Sequence, residues 1–308
     1  MRFVKTSLYN ENCGYVQSAN ALFHFMGQAK FLTDAIDRKG LVPRYCEENI
    51  SYLDVNNSNG KVDKICVLQK CFCDIPLHKI TEKFQCKIIE DEYKELSEIE
   101  KEEIQNYNTH TAFYGEYAIT FSKQWCERHN LQPVHYLNID SDFTHEFTAF
   151  LKYALNSKDL SDELYEDILI RMSFVKPLKG EMVRQLKTGK KVHFTKIFHD
   201  EQEWRYVPYI QELHKMNLER VIVKSNIAEL KNRINCNLEN LRYKNIWLKF
   251  EYEDIKYLIV PNAAERIELI NHIIQLPKEG FSDNSSIEMQ KSILVSKILA
   301  LDEIRGDW

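Results

Sequence analysis

Ala21-Leu22-Phe23-His24-Phe25-Met26 is the stretch from which the fold is read. It is a short apolar and aromatic run broken by Gly27, too brief for a helix and rich in strand-forming side chains. Immediately after it, Phe31, Leu32, Ala35 and Ile36 fall at helical spacing. A strand therefore runs straight into a helix. Gly40 is placed to close that helix in a left-handed conformation, and Pro43 prevents its resumption.

Working outward, Asn57-Ser58-Asn59-Gly60 marks a turn before an apolar strand from Val62 to Phe72, and a helix is expected over about 78–87. Glu90 to Glu103 carries eight acids and two lysines, with Tyr93, Leu96 and Ile99 at helical spacing. Tyr117 to Ser122 reads as a strand, 123–129 as a short helix and 134–137 as another strand. The spacing between Phe143 and Lys187 is mainly helical. Strand character resumes at 190–198, 204–207, 221–223, 246–250 and 257–260, with helices over 227–233 and 263–275 between them. Ser282 to Ser286 reads as a linker and Ile287 to Ile304 as a terminal helix. The expectation is an α+β chain with one domain over 1–281, a helical insertion at about 143–187, and a linker with a C-terminal helix over 282–308.

The 308 residues are 44% apolar and 28% charged, enough for a substantial core. Forty-one Lys and Arg against 46 Asp and Glu leave a net charge of −5, which excludes a uniformly basic nucleic-acid coat but permits local basic patches. No apolar run approaches a membrane span, and Met1-Arg2-Phe3-Val4-Lys5 lacks a secretory leader, so a cytoplasmic chain with no membrane partner is expected. The eight cysteines include no C-x-x-C pair. Cys66, Cys71 and Cys73 suit no common zinc spacing, so they read as buried thiols and no metal is expected.

Three separated pieces can carry chemistry. They are Phe23-His24-Phe25, Tyr114-Gly115 through Phe121-Ser122, and Glu201-Gln202-Glu203-Trp204-Arg205. Each alone has a plain structural reading: a strand histidine, an aromatic core strand, an acidic turn. Eight cations between Arg171 and Lys196 face a single Glu181. That stretch reads equally as a solvated face or as a landing strip for phosphates, with Arg184, Lys187, Lys190 and Lys191 as its nucleic-acid contacts. The acidic run Glu90–Glu103 could itself occupy the strip, in cis or in a complex.

In order and setting the three pieces resemble the His, aromatic/hydroxyl and Glu motifs of the ADP-ribosyltransferase fold. The chain resembles the AbiGi-like abortive-infection family of phage-resistance proteins through residues 22–25, Gly40-Leu41-Val42-Pro43-Arg44-Tyr45, Cys71-Phe72-Cys73-Asp74-Ile75-Pro76-Leu77 and Tyr114 to Trp125. These cover roughly residues 20–140, with Glu201 to Arg205 as a later anchor. The resemblance implies an ADP-ribosyltransferase-like split β-sandwich and NAD as co-substrate. Glu203 would stabilise the oxocarbenium charge that develops as ribose C1′ leaves nicotinamide, and Glu201 would contact the acceptor. His24, Phe25, Tyr117, Phe121 and Ser122 would hold NAD, with nucleic acid as the acceptor. Met26 stands where many such enzymes have Thr or Ser, and Thr120 where some have a stacking Tyr. The alternative is a transferase-like module without turnover, acting as the antitoxin or sensor of a toxin–antitoxin pair. Hydrolysis of NAD without an acceptor would share the same pocket.

Overall fold

The computed structural model describes residues 19–57, 60–82, 86–88, 90–105, 109–157, 161–223, 227–281 and 286–307. The leader reading at residues 1–5 and most of the linker lie outside them. The chain is a mixed α and β structure with several sheets.

The opening strand, Ala21–Met26, and the helix Ala29–Arg38 form as the spacing predicts. Lys39, not Gly40, takes the left-handed cap position with φ 49°, and Gly40 begins a two-residue strand beside Trp247. Among the described residues the main sheet has nine strands. Its path runs Ile298–Ala300, Ile255–Val260, Tyr117–Ser122, Ala21–Met26, Lys64–Cys73, Glu203–Tyr206, Leu131–Pro133. Neighbours on this path are antiparallel except the first pair, which is parallel.

Lys64–Cys73 organises the sheet because it is long enough to change partners. At its C-terminal end Phe23 and Glu203 both pair with Cys73. Toward its N-terminal end Arg44–Asn49 and Val221–Ile222 take over. Strand alternation then sorts the core. Leu22, Phe72, Ile119 and Phe121 join Leu32 and Ile36 of the first helix and Leu269 and Ile273 of Ala263–Gln275. Phe23, Phe25, Cys73 and Ala118 face the opposite way, against Ile75, Ile80, Leu301 and Ile304. Ile65 and Val67 pack on Leu151, Ile168 and Met172.

Three segments differ from the sequence reading. The helix expected over 78–87 is a single turn at Leu77–Lys79 followed by a strand, Cys86–Ile88, that joins a small sheet. The helical stretch after Phe143 ends at Met172; Val175–Pro177 and the hairpin Lys179–Gln185/Lys191–Ile197 are strands. At the C-terminus the helix stops at Ser296, Ile298–Ala300 pairs with Leu258–Val260, and a last helix spans Leu301–Asp307. In each case a short apolar run fits both periods, and tertiary pairing decides.

The acidic run forms two helices, Glu90–Lys94 and Glu98–Gln105, and they lie on the hairpin. Leu96 and Ile104 share a small core with Leu186, Val192 and Phe194. Glu103 accepts from the Lys187 N–H at 3.1 Å, Glu100 from Thr188 Oγ1 at 2.7 Å and Glu92 from the His193 N–H at 2.9 Å. The in-cis reading of that run is the arrangement present.

Gly115 joins the short helix His110–Tyr114 to the strand Tyr117–Ser122 with φ 115° and ψ 157°, a region open essentially to glycine alone. A Cβ there would stand 2.1 Å from Met26 O. This close approach holds Tyr114 over the mouth of the opening strand.

Candidate functional site

A cleft of about 1000 Å³ opens where the long strand, the strand Glu203–Tyr206 and the hairpin converge. His24, Phe25, Tyr114, Lys176, Glu201 and Glu203 all line it. The register explains why. Glu203 lies opposite Cys73 and Arg205 opposite Cys71, so alternation turns both charged side chains to the same face. Glu201 is not part of that strand. It ends the turn Phe198–Glu201, and Gln202 at φ 42° redirects the chain so that one lysine reaches both acids.

Lys176 Nζ donates to Glu201 Oε2 at 3.0 Å and to Glu203 Oε2 at 2.9 Å. The guanidinium of Arg205, fully buried, reaches Glu203 Oε1 at 2.7 Å through Nε, Ser173 O at 2.7 Å through Nη1 and Glu48 Oε1 at 2.9 Å through Nη2. Glu48 also accepts from Gln69 Nε2 at 2.7 Å. On the other flank Lys196 pairs with Glu201 Oε1 at 2.7 Å, and the Tyr114 hydroxyl donates to the same carboxylate. Three carboxylates thus interlock with three cations, and Glu203 and Glu201 are only 4% and 3% exposed.

Burial alone would raise the Glu201 carboxyl, but Lys176 and Lys196 outweigh it and hold it at about 2. Burial acts likewise on Glu203, and Arg205 with Lys176 pulls it far below the ordinary range. Burial, reinforced by Lys196, keeps His110 at about 3 and hence neutral, with its Nε2 3.1 Å from Cys73 Sγ. Because the folded Glu201 value lies below the ordinary 4.5, the unfolded chain takes up its proton first as pH falls. The stability this group lends is complete above about pH 4.5 and disappears toward pH 2, a loss of about 3 kcal/mol, with Glu203 acting in the same direction. Urea midpoints should therefore hold from pH 7 to 5 and drop steeply below 4.5. Lys176→Met should make that drop shallower, and an unchanged slope would count against the assignment.

The structure brings His24, Phe25, Glu201 and Glu203 into one cleft and leaves the other sequence candidates elsewhere. Phe121 is core, stacked on Trp125 at 4.2 Å. Ser122 Oγ caps the helix Lys123–Arg128 by accepting from the Trp125 N–H at 3.2 Å. Tyr117 lines a separate hollow of about 300 Å³ with Glu265. Arg184 stacks over the Phe113 ring at 5.5 Å, and Lys190 Nζ donates to Glu95 O at 3.0 Å. Lys187 and Lys191 remain exposed at the hairpin tip.

Sequence reasoning missed Glu48, His110 and the inward turn of Lys176 and Lys196, both counted with the basic strip. For Lys196 the signal was present: Val192, Phe194 and Lys196 share one strand phase, and all three are buried. Among the described residues no group of His, Cys, Asp and Glu converges to hold a metal ion, and no helix is long and apolar enough to cross a membrane.

The family profile described as "Putative abortive phage resistance protein AbiGi, antitoxin" matches residues 94–261. The abortive phage resistance protein AbiGi of Lactococcus lactis subsp. cremoris is 32% identical over 276 residues, which cover 87% of this chain and 99% of that protein. The chain belongs to the AbiGi family. The profile spans the second acidic helix, the hairpin and Lys176, Glu201, Glu203 and Arg205, whereas Glu48 and Gln69 lie ahead of it. No solved structure matches the chain.

Proposed function

We propose that the chain acts in abortive phage resistance as an antitoxin, a cytoplasmic module that restrains a cognate toxin by binding it. The observation that carries this reading is the closure of the ion network. Glu48, Glu201 and Glu203 are each satisfied by the protein's own Lys176, Lys196, Arg205 and Gln69. A carboxylate that stabilises a developing cation acts best when that cation is its missing partner. Here the partners are already in place, which suits a stable scaffold better than a turnover site. The description of the family as an antitoxin supports the same reading.

A second reading keeps NAD chemistry on an ADP-ribosyltransferase-like framework. It is supported by His24, Phe25, Glu201 and Glu203 lining one cleft of dinucleotide size. In that reading Glu203 serves the ribose, and Arg184, Lys187, Lys190 and Lys191 guide a nucleic-acid acceptor.

One experiment separates the two. The chain is co-expressed with each product of the genes flanking its own, and growth, complex formation and release of nicotinamide from labelled NAD are followed together. The antitoxin reading expects rescued growth, a co-purifying complex and no nicotinamide release. Nicotinamide release by the wild type that stops with Glu203→Gln, in a variant that remains folded, would replace it with the transferase reading.

A further inference from the structure

The change of partners along the long strand leaves a notch. Ala21–Met26 meets it at Phe23–Cys73, and Arg44–Asn49 begins at Gln69, so Lys70 and Cys71 fall between. There His24 Nδ1 donates to Cys71 O at 2.8 Å, a side chain bonding a strand carbonyl. Arg44, Cys46, Lys70 and Cys71 line this end of the cleft.

Most cations of the cleft already have counter-ions. Arg44 is bound to Asn235 O and the Glu239 carboxylate, Lys64 pairs with Glu47 at 2.8 Å, and Lys176 holds its two glutamates. Lys70 differs. It has neither a hydrogen bond nor an ion pair among the described residues, although it is half-buried and sits near the like charge of Arg44. A charge withdrawn from water without a partner is costly, and the same cleft pairs its other deep cations with care. The position therefore favours a negative charge.

We propose that this end of the cleft binds the anionic group, phosphate or carboxylate, of a small-molecule ligand, with the Lys70 ammonium as its counter-ion. The neutralised acids at the opposite end would not repel it, because each is matched by a cation of the protein. Burial already lowers the Lys70 ammonium to about 8, with Cys46, Arg44, Cys71 and Glu239 acting on it at longer range, so an arriving anion would relieve a standing cost. The proposal stands independently of the antitoxin reading.

The test uses the full chain and trace acetic anhydride at pH 8, with acylation of each lysine read by peptide mass spectrometry. Lys70 should be acylated faster than exposed Lys191. Saturating inorganic phosphate, pyrophosphate, acetate or citrate is then added in parallel. A bound anion should slow acylation of Lys70 by about tenfold at ninety per cent occupancy, by mass action, and leave Lys191 unchanged. Protection by phosphate and pyrophosphate alone would identify the group as phosphate, and protection by acetate and citrate alone as carboxylate. Acylation of Lys70 at the anion-free rate in the presence of each of the four anions would overturn the proposal. As a second measure, Lys70→Met should abolish calorimetric binding of the protecting anion while Lys191→Met retains it; binding kept by Lys70→Met would also overturn it. If Lys70→Met does not fold, protection in the wild type decides alone.

Discussion

Arg205→Ala should lower the free energy of unfolding by about 3–5 kcal/mol, because it removes one of the two cations that hold the buried Glu203 and the only cation paired with Glu48 among the described residues. The guanidinium contacts Glu203, Glu48 and Ser173 O at once, so a single truncation leaves Glu203 with Lys176 alone, Glu48 with only the neutral Gln69 amide, and Ser173 O without its guanidinium donor. Arg205→Lys should recover only part of the loss, since an ammonium carries the charge but not the planar fork that reaches three acceptors. Urea titrations at pH 7 measure all three proteins. A fall of less than about 1 kcal/mol for Arg205→Ala would mean that the ion network contributes little to holding the sheet faces together.

Gly115→Ala should cost about 3 kcal/mol or more, combining a glycine-only backbone conformation with a forced overlap. The new methyl would press on Met26 O and Met26 C, both backbone atoms, at 2.1 and 2.3 Å, so no side chain can turn aside to make room. Relief requires the opening strand and the His110–Tyr114 helix to separate, which would draw the Tyr114 hydroxyl away from Glu201. Thermal unfolding of the wild type and the alanine variant measures the loss. An alanine variant with wild-type stability would contradict the close approach.

The parts of the fold legible in the sequence are those where one period is strong and local. Ala21–Met26 followed by Ala29–Arg38, and Tyr117–Ser122 followed by Lys123–Arg128, are strand-to-helix units whose patterns leave one choice. Cys86–Ile88 and Ile298–Ala300 differ from the helices expected there because short apolar runs fit a helix as well as a strand. Their state is set by distant partners, Phe194–Lys196 in one case and Leu258–Val260 in the other. The site was half legible for the same reason. Glu201, Glu203, His24 and Phe25 stand out by type and position. Their cations lie in segments read as surface, and a lysine on a strand looks like solvent until its phase is counted. Phe121 and Ser122 show the converse: chemistry was assigned to side chains that the core and a helix cap already employ.

The strand Ile298–Ala300 has a consequence for how the protein is made. Its neighbour Ile255–Val260 is synthesised some forty residues earlier, and its Leu258–Val260 stretch waits for it with one row of N–H and C=O groups unpaired. Until the ribosome has delivered residues 298–300, the sheet offers an open margin of Leu258, Ile259 and Val260, a sequence able to pair with any passing strand. Synthesis is therefore the moment of greatest danger for this chain. A stop codon shortly ahead of Ile298 would prolong that moment indefinitely, yielding a polypeptide with most of its core and a lasting tendency to stick to its own kind.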